Sequence, residues 1–235
     1  MSTSPEPLLS RAFQEAARRA RTPENHDDPG SGESPGQPDD PYRERILVAA
    51  AEQFRTLGIR RSSMDDVARR AGVSRITVYR RFAAKTALVD ELLLRELRDY
   101  VAEFRRVVGE QTTGEGRLVE GFVASLRAAR GNRLVSGLLV ADPETVVPLM
   151  TTEGGPVLGA VRDFVAGQLR HDQDDGLIPA TVDTGLVAEV VARLALSFFV
   201  TPESRVDVDD DDQLRSFART VLGPLVAPTG ASDTR

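Results

Sequence analysis

The chain is predicted to be all-α, with a small N-terminal helical domain followed by a larger helical body. Three observations predict it. Apolar residues recur at three- and four-residue spacing through almost every segment after residue 40; no segment alternates with the period of a strand for long enough to count; and glycine and proline fall between helix-length pieces, as at Gly109–Gly116 and at Gly154, Gly155 and Pro156.

The most informative stretch is Ser62 to Lys85. Ser62 or Ser63 can cap a helix from Met64 to Ala71, and Asp65 and Asp66 sit where the helix dipole favours negative charge. Met64, Val67, Ala68 and Ala71 form one buried stripe, with Arg69 and Arg70 opposite. Gly72 can take the positive φ that ends this helix, and Ser74 can cap the next, from Arg75 to about Arg81. Two short helices joined by a glycine-containing turn form a helix-turn-helix. Val78 and Phe82, one turn apart, pack inward and leave Arg75, Ile76, Thr77, Tyr79 and Arg80 facing out. Guanidinium forks, a hydroxyl, a methyl and a phenol suit phosphates and base edges of a duplex, and Lys85 at the start of the next helix is placed for one more phosphate. With Ser62 and Ser63, these are the candidate DNA-binding residues. A solvated helical hairpin is the competing reading, and it leaves the coincidence of cap, glycine, buried pair and exposed donors unexplained.

Ala71-Gly72-Val73-Ser74, Thr77-Val78-Tyr79, Arg81-Phe82 and Lys85 with Leu88 resemble the DNA-binding domain of the TetR/AcrR family of bacterial transcriptional regulators. The match extends back through Asp66-Val67-Ala68 into the helix from Arg43 to Gly58 and covers about a fifth of the chain. Ile76 stands where the family often has a small residue, and Arg80 and Arg81 where it often has histidine or tyrosine; these departures bear on the operator sequence, not on the fold. The resemblance implies a homodimer on a palindromic double-stranded DNA operator, repression as the default mode, and release by a small apolar or amphipathic effector.

Composition agrees. From Pro41 to Lys85 eleven basic residues (Arg43, Arg45, Arg55, Arg60, Arg61, Arg69, Arg70, Arg75, Arg80, Arg81, Lys85) face four acids (Glu44, Glu52, Asp65, Asp66), so this segment is +7 and the rest −13 within a net charge of −6. A basic module on an acidic body lets one face meet phosphate while the remainder avoids it. The chain has no cysteine, which excludes thiolate chemistry and fits a reducing cytoplasm, and no apolar run of membrane-spanning length. With only His26 and His171, no cysteine and no Gly-rich phosphate loop, no nucleophile, base and orienting group can be assembled, so neither an enzyme nor a cofactor is expected.

In order, residues 1–40 read as a disordered extension, rich in Pro, Gly, Ser, Asp and Glu after Thr22, with four arginines between Leu8 and Arg21. Residues 41–86 form the helix-turn-helix domain, whose first helix, Tyr42 to Leu57, carries Ile46, Leu47, Ala50, Phe54 and Leu57 on one stripe; 87–228 form the C-terminal body, and 229–235 a disordered tail. Helices are expected at Lys85 to Val108, Arg117 to Arg130, Asn132 to Val140, Pro143 to Met150, Val157 to Arg170, Asp183 to Val200 and Asp211 to Ala227. Phe104, Phe122, Leu126, Leu138, Met150 and Phe164 are candidates to line an effector cavity, with Arg127, Arg130, Asn132 and Ser136 as groups that could orient a ligand.

The last two helices are apolar around more of their circumference than one core requires. Leu186, Val190, Leu194, Phe198, Leu214, Phe217, Val221, Leu222 and Leu225 are the candidate dimer interface, an assignment the resemblance favours over complete burial. Asp209 to Asp212 lack the glycine and distal glutamate of a calcium loop and are read as the start of a helix, so no metal site is expected. The alternatives are a helical scaffold or enzyme whose basic face binds RNA or membrane, and a regulator without a small-molecule ligand.

Overall fold

A computed structural model describes residues 40–201 and 203–227. Among the described residues there are ten α-helices: α1 (Pro41–Leu57), α2 (Met64–Ala71), α3 (Arg75–Arg81), α4 (Lys85–Gly109), α5 (Gly114–Gly131), α6 (Arg133–Ala141), α7 (Pro143–Met150), α8 (Gly155–Asp174), α9 (Thr184–Val200) and α10 (Asp211–Val221), followed by a 3-10 turn at Gly223–Leu225. The basic segment from Leu8 to Arg21 and the tail from residue 228 lie outside the described residues.

The chain divides into two compact units, but not at a single boundary after residue 86: the first runs to Arg98 and takes in Asn132–Glu153, and the second comprises Asp99–Gly131 and everything from Gly154 onward. Helix α4 contributes to both.

In the first unit, Asp40 is the cap of α1, its carboxylate accepting from the N–H groups of Tyr42 and Arg43. Asp40 therefore belongs to the folded unit, not to the extension where its composition would place it. Ile46, Leu47, Ala50 and Phe54 of α1 are buried with Val67 of α2, Val78 and Phe82 around α3, and Leu88 of α4; Leu134, Leu138 and Val146 of α6 and α7 complete this core. Leu57, expected on the buried stripe, is 44% exposed, because it sits in the last turn, beyond the stretch of α1 that faces α2 and α6. Gly137 lets α6 approach α1: a Cβ there would stand 2.1 Å from Arg55 Cγ and 2.8 Å from its carbonyl oxygen.

In the second unit, Leu118, Val119, Phe122 and Leu126 of α5 pack with Leu169 of α8, Val187 and Val191 of α9, and Leu214, Ala218 and Leu222 around α10. Leu214 and Leu222 are both 0% exposed. They are core, which removes them from the dimer surface expected above: the helix-period stripe of α10 is real, but it faces α5 of its own chain. The acids before α10 are accounted for likewise. Asp210 caps the helix, and Asp209, Asp211 and Asp212 pair with Arg130, Arg127 and Arg215. Helix α8 runs four residues past its expected end at Arg170, so His171 to Asp174 are helical and not loop.

Candidate nucleic-acid interface and interior cavity

The helix-turn-helix is built by local hydrogen bonds. Ser63 caps α2 by accepting from the Asp66 N–H at 3.1 Å, while the Asp66 carboxylate accepts from the Ser63 N–H at 3.0 Å. The carboxylate also accepts from the Ser63 hydroxyl at 2.6 Å, and this bond first, with that from the Ser63 N–H, holds the Asp66 carboxyl below its ordinary value. Gly72 ends α2 at φ 64°, the left-handed region that disfavours a Cβ. A guanidinium from α1 closes the same helix end: Arg45 Nη2 donates to the Ala71 carbonyl at 2.7 Å. Ser74 then caps α3, accepting from the Thr77 N–H at 3.1 Å, and shares a hydrogen bond of 2.8 Å with the Thr77 hydroxyl.

On this frame α3 buries Val78 completely and presents Ile76 at 79% and Tyr79 at 41% exposure, with Arg75 and Arg80 also exposed. Arg75 Nε lies 3.0 Å from Asp65 Oδ1, near enough for an ion pair but out of hydrogen-bond alignment, since that oxygen makes no hydrogen bond; the guanidinium also lies 5.3 Å from the centre of the Tyr79 ring. Asp65 thus holds Arg75 by charge, without a hydrogen bond. Arg80 makes no ion pair or hydrogen bond among the described residues, so nothing competes with a phosphate for it.

Other basic residues of the segment are engaged inside the unit. Arg43 forks onto Glu91 with contacts of 3.2 and 2.5 Å while stacking 4.6 Å from the Phe82 ring centre. Arg81 pairs with Asp40 at 2.5 Å, which raises the arginine's pKa, while the guanidinium's hydrogen bond keeps the Asp40 carboxyl below its ordinary value. Arg60 Nη1 reaches Glu144 at 3.1 Å, and Arg61 donates to the Ala141 carbonyl.

Two of the expected DNA-binding residues face elsewhere. Ser62 is 3% exposed and gives its hydroxyl proton to the Gly58 carbonyl at 2.7 Å, so it does not face a duplex. Lys85 directs its ammonium into the protein, donating to the Ile59 and Ser62 carbonyls at 2.8 and 2.9 Å; it closes the loop before α2 and does not point at phosphate. Lys85→Ala is accordingly expected to lower stability by about 1–3 kcal/mol, the loss from taking the ammonium donor from the Ser62 carbonyl and leaving the Ile59 carbonyl only the Ser62 N–H, without changing the salt dependence of DNA binding by the folded protein. Denaturation and binding titrations on the one variant check both halves.

Within the second unit, α4, α5, α8 and α9 enclose a cavity of about 60 Å³. Phe104 and Phe122 line it as expected, and Phe164 packs edge-on to Phe104 with ring centres 4.9 Å apart. Leu126 is buried in the adjoining core without lining it. Leu138 and Met150 do not belong to this cavity: α6 and α7 carry them into the core of the first unit. The candidate orienting groups are also elsewhere, since Arg127 and Arg130 pair with Asp211 and Asp209, and Asn132 caps α6 and donates to Glu96 at 2.6 Å.

The polar groups on the cavity wall are ones that sequence reasoning missed. Arg117 Nη1 is 2.7 Å from Asp172 Oδ1, with Asp172 1% exposed, and Gln168 donates to the same oxygen at 3.1 Å. The Asp172 hydrogen bond is the main cause of a raised Arg117 pKa. Tyr100 and Ser125 share a hydrogen bond of 2.8 Å, and burial pushes the Tyr100 phenol up to about 12. Residues 117 and 172 stand far apart in the chain, and only the approach of α5 and α8 reveals their pairing.

Comparison with known proteins bears on most of the chain. Residues 46–92 match the model for bacterial regulatory proteins of the tetR family, and residues 115–220 match the C-terminal domain of the bacterial tetracyclin repressor, so the matched segments take up more than half of the chain. The HTH-type transcriptional regulator UidR of Escherichia coli is 26% identical over 195 residues, covering 79% of this chain and 93% of that protein. The HTH-type transcriptional regulator AlkX of Mycobacterium tuberculosis is 27% identical over 176 residues, covering 72% of this chain and 80% of its own length. Among solved structures, the TetR family repressor AlkX from Dietzia sp. shares the fold with a TM-score of 0.52 at 24% identity, over 83% of this chain and 97% of that one.

Proposed function

Since the chain belongs to the TetR family and is a DNA-binding transcriptional regulator, we propose that it acts as a cytoplasmic homodimeric repressor that reads a palindromic operator with α3 and leaves it when a small apolar effector enters the second unit. The observation that carries the operator reading is the face of α3, where Ile76, Tyr79 and Arg80 stand exposed on a helix fixed by Ser74, Val78 and Phe82. Arg75 and Thr77 read base edges, Tyr79 and Arg80 meet phosphates, and Ser63 lies exposed at the start of α2 beside them. Asp65 is a positioning residue that keeps Arg75 against the Tyr79 ring until bases replace it.

The partner in the dimer is a second copy, and α9 offers it the widest surface. Leu186 is 63% and Val200 42% exposed, and Val190, Leu194 and Phe198 are incompletely covered. Val221 and Leu225 add exposed apolar surface at the end of α10, while Phe217 packs edge-on against Phe198, with ring centres 5.2 Å apart, and mainly closes the core. Two-fold symmetry then sets two copies of α3 about 34 Å, or a multiple of it, apart, in successive major grooves. Leu186→Glu should convert the dimer to monomer and abolish protection of paired half-sites; a variant that sediments as dimer would refute the α9 surface. Footprinting on the DNA upstream of the protein's own gene tests the operator, and a single unpaired half-site would contradict the palindrome.

Helix α4 serves control. It enters the first unit at Lys85 and contributes Tyr100 and Phe104 to the cavity of the second, so a ligand that prefers one setting of this helix acts on DNA affinity through it. Linkage requires operator and effector to weaken each other by the same factor.

A further inference from the structure

We propose that the effector is uncharged, an apolar molecule carrying one hydroxyl-type hydrogen-bond donor, and that the cavity discriminates against carboxylates of the same size. The proposal rests on the effector reading above and adds the chemical class to it.

The argument begins with the charges on the wall. Only Arg117 and Asp172 bring charge to it, and they neutralise each other at 2.7 Å. Arg117 has further acceptors in Asp175 Oδ2 at 3.5 Å and the Gln111 carbonyl at 3.4 Å. An anionic ligand approaching this guanidinium meets the carboxylates of Asp172 and Asp175 already against it, and taking Nη1 would leave Asp172, 1% exposed, as a buried carboxylate without its counter-ion. Removing one partner from a buried pair is strongly unfavourable, so an acid gains nothing from the one cation within reach. The rest of the wall, chiefly Phe104, Leu118, Phe122, Val165 and Leu169, offers no compensation for charge.

The neutral polar group has a defined partner. The Ser125 hydroxyl donates its single proton to the Gly121 carbonyl at 2.6 Å, so the hydrogen bond between Tyr100 and Ser125 takes its proton from the phenol. The Tyr100 oxygen keeps acceptor capacity on the cavity side of α4, where a ligand hydroxyl can donate to it. Besides the Tyr100 and Ser125 hydroxyls, the Gln168 amide, which lends one N–H to Asp172, is a neutral hydrogen-bonding side chain on the wall. At about 60 Å³ the space is far below the few hundred Å³ of an ordinary ligand pocket, so any ligand, a six-carbon chain included, must part the side chains around it.

The experiment is calorimetric titration of the full chain with 1-hexanol and with hexanoate at pH 8, where the acid is ionised, repeated on Tyr100→Phe. The alcohol should bind about tenfold or more tightly than the acid, and Tyr100→Phe should weaken the alcohol several-fold while lowering the melting temperature of the free protein by only a few degrees, the loss of one hydrogen bond to Ser125. Hexanoate binding as tightly as the alcohol would overturn the uncharged class and leave the effector reading standing. Binding of neither probe would overturn both. Alcohol affinity untouched by Tyr100→Phe would overturn the assignment of the hydroxyl to this wall.

Discussion

Asp172→Ala is expected to destabilise the second unit by about 3 kcal/mol, the low end of the range for stripping one partner from a buried ion pair, because Asp175 Oδ2 stays 3.5 Å from Arg117. Asp172 is 1% exposed and the Arg117 side chain 17%, so water cannot take over the missing role as it would at the surface. The variant also frees the Gln168 N–H bonded to the same carboxylate oxygen. Replacing both members, Arg117→Met with Asp172→Leu, should recover most of the stability, because two apolar side chains leave no buried charge behind. Denaturant titration of the two variants checks this: equal destabilisation by single and double replacements would mean the pair's charges are irrelevant and only its shape matters.

Gly137→Ala is expected to be nearly as severe, at about 1–3 kcal/mol or more, for a different reason. Its added methyl would lie 2.1 Å from Arg55 Cγ, 2.8 Å from the Arg55 carbonyl oxygen and 3.0 Å from its Cα. A side chain can rotate away, but two of those three atoms are backbone, so α1 and α6 must separate and the core between Phe54 and Leu138 loosens. Since α1 backs α2 and α3, DNA binding should fall in step with the folded fraction and recover at lower temperature. A fully stable variant would show that the helices yield more easily than close packing allows.

What could be read from the sequence depended on range. Ser63, Gly72 and Ser74 act on groups within a few residues of themselves, so caps and turn were legible, and α2 and α3 have the expected limits. Val78 and Phe82 were legible as an inward pair for the same reason. Lys85 was misread because its acceptors are the carbonyls of Ile59 and Ser62, and a backbone acceptor leaves no mark in the sequence. Leu214 and Leu222 were misread because periodicity shows that a helix has an apolar face without showing what covers it. Leu138 and Met150 were sent to the wrong unit, since nothing local announces that α6 and α7 return to the first core. The cavity's polar wall escaped altogether: Arg117, Gln168 and Asp172 look like solvent-exposed residues of two amphipathic helices until those helices are laid together.

The central claim, that α3 reads DNA, is tested most directly by measuring the affinity of the wild-type chain and of a Tyr79→Ala, Arg80→Ala variant for the protein's own upstream DNA across a series of salt concentrations. Both side chains are exposed and neither holds the core, so the variant should fold as the wild type does. The account predicts weaker binding at every salt concentration, a slope of log affinity against log salt that is shallower by about one unit for each phosphate left without its partner, and unchanged preference for the operator over unrelated sequence. A folded double variant with wild-type affinity and slope would contradict it.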